Sequence, residues 1–452
     1  MTNQQENDLL MESFINRVYF KKKEDLESEN IVPSIEFYVN TTCDLKCSYC
    51  YIHNHRKELY PVEYHKSEYI LKNAEAVLKY IIDNEYVCNL ELFSGELFSQ
   101  ELGFNLLDLI LTYGKKKPNI IRAIMIPSNM NFIADKARVR RIEKYLHDFY
   151  MAGIRMHISA SVDGPYLSQN RSFVSEKEIR DDEFYNDLFK FVKRHGCGLH
   201  PMVSSVGIEK WIKTYDWFTE MIQKYDIKDR WGNYIDPMML EVRNNDWTDG
   251  SIAELLKFYD HLFDKLIEKY GSKENFVRML YDRNYGPEKI QYCNVEYTYD
   301  DCKNRKISCA IQKTLHIRLG DLAIVNCHRL SYEELILGKF KVDEDNNIVG
   351  INAINPSLLL VKNSVQSTML PKCAECKYSH VCMKGCLGAQ YEHNSDMFYP
   401  IPGVCKMLTA KYDHLTKRYY ELDLFKYMFN YLTPTQKEYY NQLIKEMEKA
   451  NE

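Results

Sequence analysis

The sequence predicts an α/β fold: a partial (β/α)6 TIM-like barrel, then a cysteine-rich region, then a C-terminal helical segment. Three observations carry this. Between residues 33 and 270, short apolar runs alternate six times with longer stretches of helical period. That alternation implies a parallel sheet with crossover helices, and six units fit a partial barrel better than a closed eight-fold one. After about residue 300 cysteines crowd together, and long helical stretches stop until Lys406.

The elements follow in order. Residues 1–32 form a polar N-terminal extension. Ile35–Val39 is the first strand, followed by a helix with Ile70, Leu71, Ala74, Val77, Leu78 and Ile81 on one face. Leu90–Phe93, Ile120–Ile126, Ile154–Ile158, Leu199–Val203 and Met238–Val242 are the next five strands. Their helices are marked by Leu106 to Ile110, Val139 to Leu146, Phe184 to Phe191, Ile208 to Phe218, and Ile252 to Leu266. The barrel thus spans 33–270. A connector with Gly286 and Pro287 covers 271–300, and the cysteine-rich domain covers 301–405, with short strands at Leu315–Leu319 and Leu322–Val325. Residues 406–452 are helical again.

Bulk composition narrows the function. The 452 residues allow two or three domains, and a net charge of −5 from 59 basic and 64 acidic residues is near balance. No basic tract argues for nucleic acid. No apolar run is long enough to cross a membrane, and the N-terminus lacks a signal peptide's apolar core. The expectation is a cytoplasmic protein, where disulfides are disfavoured. Of the 14 cysteines, Cys88 and Cys197 sit in apolar strand-like runs as small core residues, and Cys293 stands alone. The rest gather at 43–50 and 302–405, as clustered thiols do around metal.

The first group, Cys43-Asp-Leu-Lys-Cys47-Ser-Tyr-Cys50, directly follows the first strand. Three thiolates on one loop can hold three irons of a cubane cluster and leave the fourth open. A closed zinc site would need a fourth ligand, for which His53 or His55 is at hand. Other strand ends add polar groups. Gly95 permits close backbone approach, and Glu96 offers an acceptor for an ammonium group. Asn129 ends the third strand, and Ser159–Gly164, with Ser161 and Asp163, ends the fourth. Arg171 suits a carboxylate. Together they fit a ligand that is part amino acid and part nucleoside.

Cys-x3-Cys-x-aromatic-Cys after the first strand resembles the signature of the radical S-adenosylmethionine enzymes. Ser94–Glu96 is similar to that family's Gly-Gly-Glu motif, with Ser94 in place of the first glycine and Leu97 in place of a usual proline. Ser161–Gly164 resembles its Ser-x-Asp-Gly motif. The resemblance implies that S-adenosylmethionine chelates the open iron. Glu96 would hold its amino group, Arg171 its carboxylate, Ser161 or Asp163 its ribose, and Tyr49 would shield the cluster or pack the ligand.

Cys373-x2-Cys376-x5-Cys382-x3-Cys386, then Cys405, resembles the SPASM extension of that family. This implies two auxiliary [4Fe–4S] clusters, three in all. Cys373, Cys376, Cys382 and Cys405 would hold one. Cys386 would cross to the other with Cys309, Cys327 and Cys302, unless Cys293 replaces Cys302 or an iron stays open. The usual Gly-x4-Cys spacing is here Gly320-x6-Cys327. His328 stands where sulfatase-maturing relatives carry a proton-accepting aspartate, and is the candidate base.

The resemblance as a whole implies a peptide maturase. It would abstract hydrogen from a ribosomal peptide or protein and form a thioether or carbon-linked cross-link. A one-electron donor such as flavodoxin or ferredoxin is implied, with a separate leader-binding protein as a further partner. A sulfatase-maturase-like enzyme, a peptide epimerase, and a non-catalytic iron–sulfur or zinc protein are the alternatives.

Overall fold

Strand β1, Ser34–Tyr38, is buried along nearly its whole length, as a strand with both faces covered must be. The computed structural model describes residues 2–26, 32–174, 180–282, 311, 314–364, 370–376, 378, 382, 385–432 and 434–451. Cys293, Cys302 and Cys309 lie outside the described residues. The fold is mixed α/β around a parallel sheet. Its chain divides into two compact units, one of Met1–Pro201, Thr219–Pro237 and Ala310–Ser364, the other of Met202–Phe218, Met238–Cys309 and Val365–Glu452.

In the first unit β1 is joined by β2 (Cys88–Phe93), β3 (Ile121–Ser128), β4 (Arg155–Ala160) and β5 (Gly198–Leu199), all parallel. The helix Ser67–Asp83 between β1 and β2 buries Ile70, Ala74, Val77, Leu78 and Ile81 of the stripe its spacing predicts, and leaves Leu71 half-buried. Glu101–Lys116 and Lys136–Met151 make the next crossovers. Asp135 caps the latter by accepting from the Ala137 and Arg138 N–H groups.

The fifth expected strand is divided. Gly198–Leu199 pairs with β4, whereas β6 (Met202–Val203) pairs with β7 (Leu240–Glu241) as a separate two-stranded sheet. Pro201 stands at the break and has no N–H to donate to a ladder. The sixth expected strand, Met238–Val242, is β7, shortened to two residues.

The sheet also extends beyond β1 on its other side. β8 (Thr314–Arg318) runs parallel to β1, and β9 (Ala323–Val325), β10 (Gly338–Val342) and β11 (Ile348–Ala353) follow antiparallel. The full order is β11-β10-β9-β8-β1-β2-β3-β4-β5. Residues 314–353, placed by sequence in the cysteine-rich domain 301–405, thus continue the main sheet. The physical cause is that all of β8 is buried once it pairs with β1. The polar N-terminal extension holds a helix, Asn3–Tyr19, capped by Thr2 and burying Met11, Ile15 and Tyr19. Asp8 on it accepts from the Ala353 N–H at 2.8 Å and pairs with Lys341 at 2.7 Å, covering the β10–β11 hairpin.

In the second unit the helix Asp249–Tyr270 packs on the helix Pro402–Glu421. Phe263 meets Tyr419 at 5.6 Å, and His414 and Arg418 pair with Asp260 and Asp264, each at 2.9 Å. Pro402 opens its helix at the first position, where a missing N–H costs nothing. No described helix is long and apolar enough to cross a membrane.

Candidate functional site

Cys43, Cys47 and Cys50 lie on the loop after β1, which is clamped from two sides. On one side Gly95 N–H donates to Asn40 O at 3.1 Å and Glu96 N–H to Thr42 O at 2.8 Å. A Cβ on Gly95 would stand 2.3 Å from Thr42 O, so only glycine permits this approach. On the other side Lys46 N–H donates to Ser172 O, Ser48 N–H to Asn170 O, and Val174 N–H to Asp44 O, each at 2.9 Å. Leu45, Cys47 and Phe173 form a small buried cluster, with Cys43, Tyr49 and Cys50 against it. Burial pushes the Cys47 thiol up to about 11 and the Cys43 thiol further. Such thiols ionise readily only if a cation shares the loop, which suits metal ligation.

Glu96 is 3% exposed and raised by burial to about 7. Its Oε1 accepts from the Phe98 N–H at 3.2 Å and the Ser128 hydroxyl at 3.0 Å, and its Oε2 from the Asn129 N–H at 2.6 Å. An ionised carboxylate has about four acceptor positions, so one remains for a further donor. Asn129 therefore serves through its backbone as well as its side chain. Its amide donates to Asp44 Oδ1 at 2.6 Å, and Asn131 donates to Asp44 Oδ2 at 2.8 Å. Arg180 donates to Asn131 Oδ1 at 2.9 and 3.1 Å.

Asp163 and Arg171 are brought together. Arg171 Nε lies 2.9 Å from Asp163 Oδ2, both side chains being nearly fully buried, and Tyr49 donates its hydroxyl to the same oxygen at 2.5 Å. The Arg171 guanidinium lies 5.4 Å from the Tyr49 ring centre. The two residues expected to bind separate parts of one ligand are thus paired to each other. Ser161 is tied in through its backbone, its N–H donating to Ser128 O at 2.7 Å. The sequence reading missed Asp44, Asn131 and Arg180. Asp44 was findable as the one carboxylate between the cysteines, but its partners stand 85 and 87 residues away.

His328 follows Cys327 in a short turn in the same unit. Its ring stacks on Phe93 at 3.8 Å and 10°, and its Nδ1 lies 2.8 Å from Glu36 Oε2. His316 Nδ1 lies 3.0 Å from Glu36 Oε1. Register explains the meeting: Glu36 on β1 faces His316 on β8 directly. Burial pushes Glu36 up, but the two histidines more than offset it and hold the carboxyl well below the usual range. The donor atoms of these three residues lie within 4.8 Å, a spacing that also suits a divalent ion. Each carboxylate oxygen already faces one imidazole, so the arrangement serves first to orient His328.

In the second unit Cys373, Cys376, Cys382, Cys386 and Cys405 line one cavity of about 250 Å³. Cys405 is pushed up to about 11 by burial and by the neighbouring Cys382, Cys373 and Cys376. Sulfurs converging on one void, with Lys372 and Arg243 on its wall to offset thiolate charge, are a donor set that could hold a cubane cluster. Cys386 is one thiol more than a cubane needs. Cys88 and Cys197 are buried core residues, as their runs predict.

No protein-family model and no curated protein sequence matches the chain. Solved structures do. The chain is similar to histidine-tagged anSMEcpe with bound AdoMet, with a TM-score of 0.53 and 15% identity over 86% of this chain and 97% of that one. It is similar also to native anSMEcpe with bound AdoMet and Kp18Cys peptide, with a TM-score of 0.52 and 15% identity over 85% and 97%. At this identity the likeness establishes the fold.

Proposed function

We propose that this chain is a radical S-adenosylmethionine enzyme that modifies a peptide. The observation that carries the reading is the clamped loop of Cys43, Cys47 and Cys50 with Glu96 buried beside it, one acceptor position to spare. Structures of the same fold hold AdoMet, and two of them hold a peptide as well, which supports both ligands here.

When bound, a [4Fe–4S] cluster and S-adenosylmethionine would supply radical chemistry that removes hydrogen from carbon, which no side-chain base can do. The chain's own residues bind and orient. Cys43, Cys47 and Cys50 would hold three irons, and Gly95 keeps the neighbouring backbone close. Glu96 accepts from the ligand's ammonium. The Tyr49–Asp163–Arg171 group braces the loop; Arg171 would hold the ligand carboxylate, and Ser161 or Asp163 the ribose. His328, oriented by Glu36 and Phe93, takes a proton from substrate.

The finer reading is a cross-link, thioether or carbon-linked, in a ribosomal peptide or protein. Cys373, Cys376, Cys382 and Cys405 then hold one auxiliary cluster. Of the second set that the resemblance implies, Cys302 and Cys309, with Cys293 as the alternative to Cys302, lie outside the described residues. A reduced flavodoxin or ferredoxin in the cytoplasm would supply the electron, and a separate protein would present the leader.

Co-expression with candidate peptides, read by mass spectrometry, tests this. Loss of two hydrogens supports a cross-link, and an unchanged mass with altered stereochemistry points to epimerisation. A peptide unchanged in both respects, with no 5′-deoxyadenosine formed, would refute the enzyme reading.

A further inference from the structure

Among the polar residues on the wall of the second unit's cysteine cavity, Arg243 and Tyr412 stand out. Arg243 follows β7, and Tyr412 lies on the helix Pro402–Glu421; both line the cavity. Tyr412 is hydrogen-bonded to Cys382. Arg243 is held nearby by Glu241, whose Oε2 is 3.7 Å from Arg243 Nη2, too long for a hydrogen bond. Glu241 Oε1 is taken by Lys411 at 2.6 Å and by the Tyr259 hydroxyl. Arg243 Nη1 is buried and has no hydrogen-bond partner among the described residues.

The charges of this wall do not cancel. Glu241 stays ionised: burial pushes it up, but Lys411 and Arg243 bring it down to about 2. Glu241 against Lys411 and Arg243 leaves one positive charge, which the buried guanidinium carries to the cavity, and Lys372 on the same wall adds another. A buried donor with nothing to donate to is costly. A cluster held by four thiolates is an anion, and one more electron makes it more negative. A cation and a hydrogen bond to sulfur both favour the reduced form, and these are among the levers that set such potentials.

We infer that Arg243 and Tyr412 raise the reduction potential of the cluster bound by the Cys373–Cys405 group and so make it an electron acceptor. They are positioning residues; the inference rests on the auxiliary-cluster reading above. Electron balance is simple: one electron enters the cluster from a substrate radical, and the one-electron donor class named above, in its oxidised form, takes it away.

The experiment is a potentiometric titration followed by electron paramagnetic resonance on the anaerobically reconstituted full chain. Iron and sulfide are counted first. Added S-adenosylmethionine marks the first cluster by changing its signal. Arg243→Gln should move the midpoint of one unmarked cluster to lower potential, roughly tenfold in the reduction equilibrium, or about 59 mV for one electron. Arg243→Lys should restore most of the shift, and Tyr412→Phe, which keeps the ring, should give a smaller one of the same sign. Unchanged midpoints in Arg243→Gln and Tyr412→Phe at wild-type iron content overturn the inference and leave the cluster reading standing. About four irons per chain, with no unmarked signal, overturns the auxiliary-cluster reading and the inference with it.

Discussion

Glu96→Gln separates a ligand-binding carboxylate from a structural one. In the wild type Oε1 takes two donors and Oε2 takes the Asn129 N–H at 2.6 Å, inside a site that is 3% exposed. Glutamine keeps the shape but turns one oxygen into a donor. If that NH2 faces Asn129, two donors oppose each other, and leaving the buried N–H unsatisfied costs about 1–3 kcal/mol of stability. The ligand loses more specifically. A hydrogen bond from an ammonium to an ionised carboxylate contributes about 1.5–3 kcal/mol, so affinity should fall about ten- to one-hundred-fold. The assay is equilibrium binding of S-adenosylmethionine to reconstituted wild type and variant at about pH 8, with thermal unfolding of each measured without ligand. Weaker binding at equal iron content is expected. Affinity within twofold of wild type, in a variant with lowered thermal stability, would refute the ligand role and leave Glu96 as a loop brace.

The same carboxylate gives a pH dependence. Burial raises Glu96 from its ordinary 4.5 to about 7, so the folded chain binds more protons than the unfolded one between those values. Its contribution to stability is therefore present at low pH and lost as pH rises through 7, whereas ammonium binding needs the ionised form. Affinity for S-adenosylmethionine, measured by calorimetry in buffers of differing ionisation heat, should fall about tenfold per unit below pH 7, with proton release on binding. Gly95→Ala would place a Cβ 2.3 Å from Thr42 O, and the loop must shift. Iron loading and melting temperature should both drop, at an overpacking cost of about 1–3 kcal/mol. Arg171→Met leaves Asp163 buried without its cation, and denaturant unfolding should show a loss of about 3–5 kcal/mol. His328→Phe keeps a ring on Phe93 but loses the Glu36 contact; 5′-deoxyadenosine should still form, while peptide product, followed by mass spectrometry, falls about a hundred-fold or more.

The strand-end site was legible because its chemistry leaves local marks: thiols at fixed spacing, a glycine needed for close approach, a carboxylate behind it. The first four strands and their helices were legible for a related reason, since burial imposes period on sequence. Other parts left weaker marks. The helix Asn3–Tyr19 buries residues four apart (Met11, Ile15, Tyr19), but the polar residues around them hide the stripe. The β10–β11 hairpin alternates Phe340 and Val342 with lysines, a pattern too short to stand apart from the cysteines that surround it. Pro201 marked a break inside a strand-like run. What no local pattern could give is pairing at a distance: Arg180 with Asn131, 49 residues apart, and His328 with Glu36, 292 residues apart. Those contacts turn candidate ligand-binding groups into a braced framework.

The central claim is that Cys43, Cys47 and Cys50 hold an iron–sulfur cluster that cleaves S-adenosylmethionine. The direct measurement is 5′-deoxyadenosine formed by the anaerobically reconstituted, reduced full chain, alongside Cys43→Ala, Cys47→Ala and Cys50→Ala. Wild type should produce it, and each variant should lose both the product and about four irons per chain. Variants that still form 5′-deoxyadenosine, or a wild type that binds stoichiometric zinc and no iron, would contradict the account.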